Sequence, residues 1–133
     1  MNDTKDRTTL KGFNDLLFGS HGGFPDGGAT QAKLTFGQRD KDNFDQFTIS
    51  VVQNIGDGRG LYGHQDDGTY EVAMWFQDRG DMLPLSTSDD VLGWQTPDKV
   101  TKLMHKAQLN GFAWVCKLHS DKNAFRKDLG LDD

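Results

Sequence analysis

Thr96-Pro97-Asp98-Lys99-Val100-Thr101-Lys102-Leu103-Met104-His105-Lys106-Ala107-Gln108-Leu109-Asn110-Gly111 reads as one amphipathic helix with both of its ends marked. Thr96 is a good N-cap residue, because its hydroxyl can accept from a backbone N–H that has no partner inside the helix. Pro97 suits the first helical position, and Asp98 places negative charge at the positive end of the helix dipole. Val100, Leu103, Met104 and Ala107 recur at i, i+3, i+4 and i+7, which builds one apolar stripe. Gly111 is a natural stop. The spacing predicts a main helix over about 97–110, with Lys99, Lys102 and Lys106 along its polar face.

Upstream of this helix the apolar period falls from 3.6 to 2. Ala32, Leu34 and Phe36 alternate with Gln31, Lys33 and Thr35. Phe47, Ile49 and Val51 alternate with Thr48, Ser50 and Val52, and Tyr70, Val72, Met74 and Phe76 with Glu71, Ala73 and Trp75. Each run predicts a half-buried strand. Asp78-Arg79-Gly80-Asp81 suits a hairpin turn, and Met82-Leu83-Pro84-Leu85 a short strand that its proline confines to an edge. Downstream, Phe112, Trp114, Cys116 and Leu118 also alternate and predict a last strand. A short C-terminal helix would then follow Ser120 or Asp121, with Ala124, Phe125 and Leu129 on one face.

At the other end, Leu10, Phe13, Leu16 and Leu17 predict an N-terminal helix over about 9–18, capped by Thr8 or Thr9. Two glycine-rich stretches, Gly19–Gly28 and Gly56–Gly68, predict loops. Strands joined without crossover helices imply an antiparallel meander. The expected fold is a single α+β domain over residues 1–133. It has four or five meander strands, an N-terminal helix, the main helix packed on the sheet and a short C-terminal helix.

The totals agree with one modest core. The chain has 133 residues, 35% hydrophobic and 26% charged, with a formal net charge of −5. Nineteen of its 20 acids are Asp and only Glu71 is Glu, a bias that favours turns because the short Asp carboxylate bonds nearby backbone N–H groups. Residues 1–96 hold 15 acidic and 8 basic groups, whereas 97–133 hold 5 and 7. An acidic first part disfavours a broad nucleic-acid footprint, so nucleic acid is not expected as a partner. No run approaches the roughly 18 apolar residues of a membrane span. The polar start predicts no signal peptide, and the single Cys116 offers no intrachain disulfide, so a reducing cytoplasm is expected.

Few residues carry a recognisable chemistry. Gly58-Arg59-Gly60-Leu61-Tyr62-Gly63 has the spacing G-x-G-x-x-G, but a dinucleotide site needs a helix after it and a strand follows here. Asp57, Asp66 and Asp67 fit no calcium-loop spacing. On a strand, Cys116 and His119 would face opposite sides, with the thiol turned to the core beside Trp114 and Leu118. No cofactor, metal or catalytic residue is therefore expected. What remains is surface chemistry: the acid pairs Asp66-Asp67 and Asp89-Asp90 beside the loop residues Tyr62, His64 and Trp94. Trp94 could equally pack over the start of the main helix.

Tyr70-Glu71-Val72-Ala73, then Asp89-Asp90-Val91-Leu92-Gly93-Trp94, then the helix capped by Thr96-Pro97, resemble small accessory proteins of tailed bacteriophages over about half the chain. The resemblance implies a viral protein made in a bacterial host, often one that binds and blocks a host protein. It implies no catalytic residue. The expected function is a non-enzymatic protein-binding module, an inhibitor of a host or defence protein with a basic surface. Its contact residues would be Tyr62, His64, Asp66, Asp67, Asp89, Asp90 and Trp94. Two other readings stay open: a small hydrolase or transferase using His64 or His119 with acids of the Gly58–Asp67 loop, and a nucleic-acid binder using the Lys99–Arg126 side. Monomer and homodimer are both compatible with the sequence.

Overall fold

The structure is a computed structural model that describes residues 10–23, 27–39, 44–77, 81–86 and 90–128. Its strands are β1 (Gly19–Ser20), β2 (Ala29–Arg39), β3 (Phe44–Asn54), β4 (Tyr70–Phe76) and β5 (Leu92–Gln95), and its helices are α1 (Pro97–Asn110) and α2 (Phe112–Asp128). The strands form one antiparallel sheet in the order β1-β2-β3-β4-β5. This is an α+β architecture, with helical side chains packed into the apolar side of a meander.

The period-2 alternation decides which face is buried. Ala32, Leu34 and Phe36 of β2 lie opposite Val51, Ile49 and Phe47 of β3, and Ile49 and Val51 lie opposite Met74 and Val72 of β4. Phe47, Ile49, Val51, Val72 and Met74 lose all solvent contact. Each such side chain contributes about 1.5–3 kcal/mol through burial, so β3 and β4 form the energetic centre. On the opposite face the same strands carry polar pairs, such as the Thr35 and Thr48 hydroxyls at 3.0 Å and Gln31 with Ser50 at 3.0 Å.

α1 forms where the sequence places it. Thr96 Oγ1 accepts from the Lys99 N–H, and Gly111 ends the helix at φ 55°. Val100, Met104 and Ala107 are fully buried against the sheet, while Leu103 is only partly buried at the edge of the core.

Several expectations need correction. The segment 112–118 is not a strand: it opens α2, which runs on to Asp128 and absorbs the expected short C-terminal helix. Trp114 and Val115 are buried and Leu118 is partly buried, and those three share a helical face. The alternation of Phe112, Trp114, Cys116 and Leu118 was therefore coincidental. Phe112 and Cys116 are exposed, so the thiol does not point to the core. Ala124 is exposed and Phe125 partly buried, while Leu129 lies outside the described residues.

The N-terminal helix is replaced by a single 3-10 turn, Phe13–Asp15, in an otherwise extended segment. Side chains of α1 take the backbone bonds that a helix would have made. Gln108 accepts from the Lys11 N–H and donates to the Lys11 carbonyl, both at 2.8 Å, and Thr101 Oγ1 accepts from the Phe13 N–H at 2.9 Å. Leu16 is buried but its neighbour Leu17 is exposed. The expected caps Thr8 and Thr9 lie outside the described residues, as do Asp78, Arg79 and Gly80 of the expected hairpin turn.

Met82–Leu85 is not a strand, although Met82 makes one isolated bridge to Trp75 and the Leu83 N–H reaches the Met74 carbonyl at 2.7 Å. Pro84 has no N–H with which to extend that pairing. The outer strands are instead β1 and β5, both in stretches expected to be loops.

Candidate functional site

The connection from β3 to β4 is organised by the residue that ends β3. Asn54 is buried, and its amide donates to the carbonyls of Leu61 and Gly63, each at 2.8 Å. Its Oδ1 accepts from the Leu61 N–H at 3.3 Å. Gly63 packs so tightly on β4 that a Cβ there would stand 2.6 Å from the Tyr70 Cα. Tyr62 is thereby held on a fixed backbone. Its N–H donates to Glu71 Oε1 at 2.9 Å, and its carbonyl accepts from the Trp94 N–H at 2.7 Å.

Trp94 sits in a β-bulge. Tyr70 pairs with Gln95 and Val72 with Leu92, so β5 takes three steps where β4 takes two. Trp94 absorbs the extra residue at φ 57°, in the left-handed region, which costs a residue with a side chain roughly 1–2 kcal/mol. Its ring is 54% exposed and stands beside the 53% exposed Tyr62 ring, with centroids 6.4 Å apart and planes at 60°. Gly93 allows the approach, since a Cβ there would lie 2.6 Å from the Tyr62 Cβ.

The other expected contact residues divide. Asp66 and Asp67 are exposed on a 3-10 turn, Gln65–Asp67, in the loop that carries Tyr62. His64 caps this turn. Its Nδ1 accepts from the Asp66 N–H and its Nε2 lies 3.0 Å from the Gly56 carbonyl, so Nε2 carries the proton and both ring nitrogens are engaged inside the loop. Asp90 is paired with Lys122 of α2 at 3.3 Å. Asp89 lies outside the described residues. Sequence reasoning missed Asn54 and Glu71. The one available signal was that Glu71 is the only Glu among 20 acids, and the longer side chain is what spans from β4 to the Tyr62 N–H.

A second feature lies beside α2. Because 112–128 is helical, Cys116 and His119 stand one turn apart on the same side and line one cleft of about 740 Å³, with Phe76, Leu83 and Val115 among its walls. Among the described residues no hydrogen bond joins the thiol to the imidazole. No group of three His, Cys, Asp or Glu side chains suited to a metal ion occurs among the described residues. On the basic side, Lys117 pairs with Asp121 at 2.9 Å, besides the Lys122–Asp90 pair. No helix among the described residues is long and apolar enough to cross a membrane. Comparison with protein-family models, with curated proteins and with solved structures gives no match.

Proposed function

We propose that this chain is a non-enzymatic protein-binding module, and that its contact surface centres on Tyr62 and Trp94, with Asp66 and Asp67 further along the loop that carries Tyr62. The observation that carries this reading is the pair of half-exposed rings at a bulged edge strand, with the Tyr62 N–H and carbonyl and the Trp94 N–H all hydrogen-bonded. Aromatics supply most of the binding energy at protein interfaces, and a rigid anchor loses little entropy on association. Strain of the kind Trp94 carries concentrates at functional positions. The acids would steer a basic partner surface toward the rings. The likeness to phage accessory proteins makes the partner a host or defence protein in a bacterial cytoplasm.

Affinity capture from bacterial lysate, read by mass spectrometry, tests the reading. The intact chain is expected to retain a partner that a folded Trp94→Gly variant loses. Equal recovery on both would overturn it.

One observation favours a second reading. Cys116 and His119 line one cleft, which suits a thiol-dependent hydrolase or transferase. Loss of function in a folded Cys116→Ser protein would support that reading over the first.

A further inference from the structure

We infer that the Tyr62–Trp94 pair receives an arginine side chain of the partner, with Glu71 as its counter-charge. This rests on the protein-binding reading and names the chemistry of its central contact.

Three properties of the site favour a guanidinium. The first is the rings themselves. Aromatic faces attract a cation within about 6 Å of the ring centre, and Trp does so most strongly. Here two half-exposed rings stand 6.4 Å apart, so a planar group lying on one remains within reach of the other. The second is charge. Residues 56–71 hold four carboxylates, those of Asp57, Asp66, Asp67 and Glu71, against the single guanidinium of Arg59. Glu71 stands next to the pair through its bond to the Tyr62 N–H, and a carboxylate has about four acceptor positions, of which that bond uses one. The third is rigidity. Asn54, Glu71 and the Trp94 N–H fix the Tyr62 backbone before any partner arrives.

Other anchors fit less well. An aliphatic side chain pressed on the rings would desolvate the neighbouring carboxylate without offering it a donor. A lysine ammonium is more strongly hydrated and cannot lie flat on a ring, whereas a guanidinium stacks and bonds a carboxylate with its remaining N–H groups.

The test uses the full chain and two probes of equal length and charge, the acetylated and amidated hexa-arginine and hexa-lysine peptides, titrated under nuclear magnetic resonance. Hexa-arginine is expected to move the Trp94 indole and Tyr62 amide resonances and to bind at least about fivefold more tightly than hexa-lysine. Trp94→Leu should reduce hexa-arginine binding to the hexa-lysine level. Glu71→Gln keeps an acceptor for the Tyr62 N–H but removes the charge, and should weaken hexa-arginine severalfold. Equal binding of the two peptides, or unchanged hexa-arginine binding by Trp94→Leu, overturns the arginine assignment. If lysate capture is still lost in Trp94→Gly, the protein-binding reading survives that result; if capture is unchanged, both fall.

Discussion

The Trp94 N–H donates to the Tyr62 carbonyl at 2.7 Å, and the two rings stand together outside the core with their centroids 6.4 Å apart. One bond thus joins an edge-strand bulge to the loop between β3 and β4, and each segment fixes the other's aromatic. Trp and Tyr are among the most area-rich residues available to a core, yet these two are left half-exposed while the Tyr62 N–H and carbonyl and the Trp94 N–H are hydrogen-bonded. The protein-binding account follows from that contrast.

Trp94 should be replaceable for folding but not for binding. Gly relieves the left-handed backbone at φ 57°, which offsets the loss of a half-exposed ring and its contact with Tyr62, so Trp94→Gly should stay within about 1 kcal/mol of the parent stability. Trp94→Val puts a β-branched residue in the same conformation and should be the less stable of the two. Thermal melts of both variants check this ordering, and a Trp94→Gly protein less stable than Trp94→Val would contradict the strain assignment.

Asn54 should act as a positioning residue for Tyr62. Asn54→Ala removes the amide that bonds the Leu61 carbonyl and N–H and one of the two donors to the Gly63 carbonyl, which keeps the backbone N–H of residue 54, a loss of about 1–3 kcal/mol. In the folded variant, faster hydrogen exchange at Leu61 and Tyr62 should accompany weaker partner retention. Unchanged exchange there would remove Asn54 from the site.

The core ranks the positions of α1 differently from the spacing alone. Met104 is fully buried and Leu103 only partly so. Met104→Ala should cost about 2–5 kcal/mol and Leu103→Ala distinctly less. Denaturant melts that give the reverse order would contradict the packing.

Cys116 should behave as a surface thiol. It is exposed on α2 beside the cleft. The native protein should react fully with a water-soluble disulfide reagent, and Cys116→Ser should change stability by less than about 0.5 kcal/mol. A thiol that reacts only after unfolding would contradict this placement.

The three central strands and α1 were legible because one face of each meets the core, so burial writes a clean period into the residues. The first half of α2 was misread because Phe112, Trp114, Cys116 and Leu118 alternate by chance, and only exposure separates Phe112 from Trp114. The N-terminal segment was illegible for another reason. Gln108 and Thr101 bind its backbone from about 90 residues away in sequence, and a long-range side-chain clamp leaves no local pattern. At the site, Tyr62 and Trp94 stood out as aromatics within loops, but the bulge that joins them depends on register. Asn54 and Glu71 act through single bonds to backbone, which composition does not reveal. Asp90 looked like half of an acid pair and proves to be occupied by Lys122.

The most direct test of the central claim is the dissociation rate of the captured partner from immobilised chain, compared between the parent and two variants, Trp94→Gly and Asp66→Asn with Asp67→Asn. The account predicts that Trp94→Gly, folded by circular dichroism, releases the partner at least about tenfold faster. It predicts that the acid variant mainly slows association, by an amount that shrinks as salt rises, because its charges act through steering. Equal dissociation from the parent and from Trp94→Gly would contradict the claim that this aromatic pair is the binding surface.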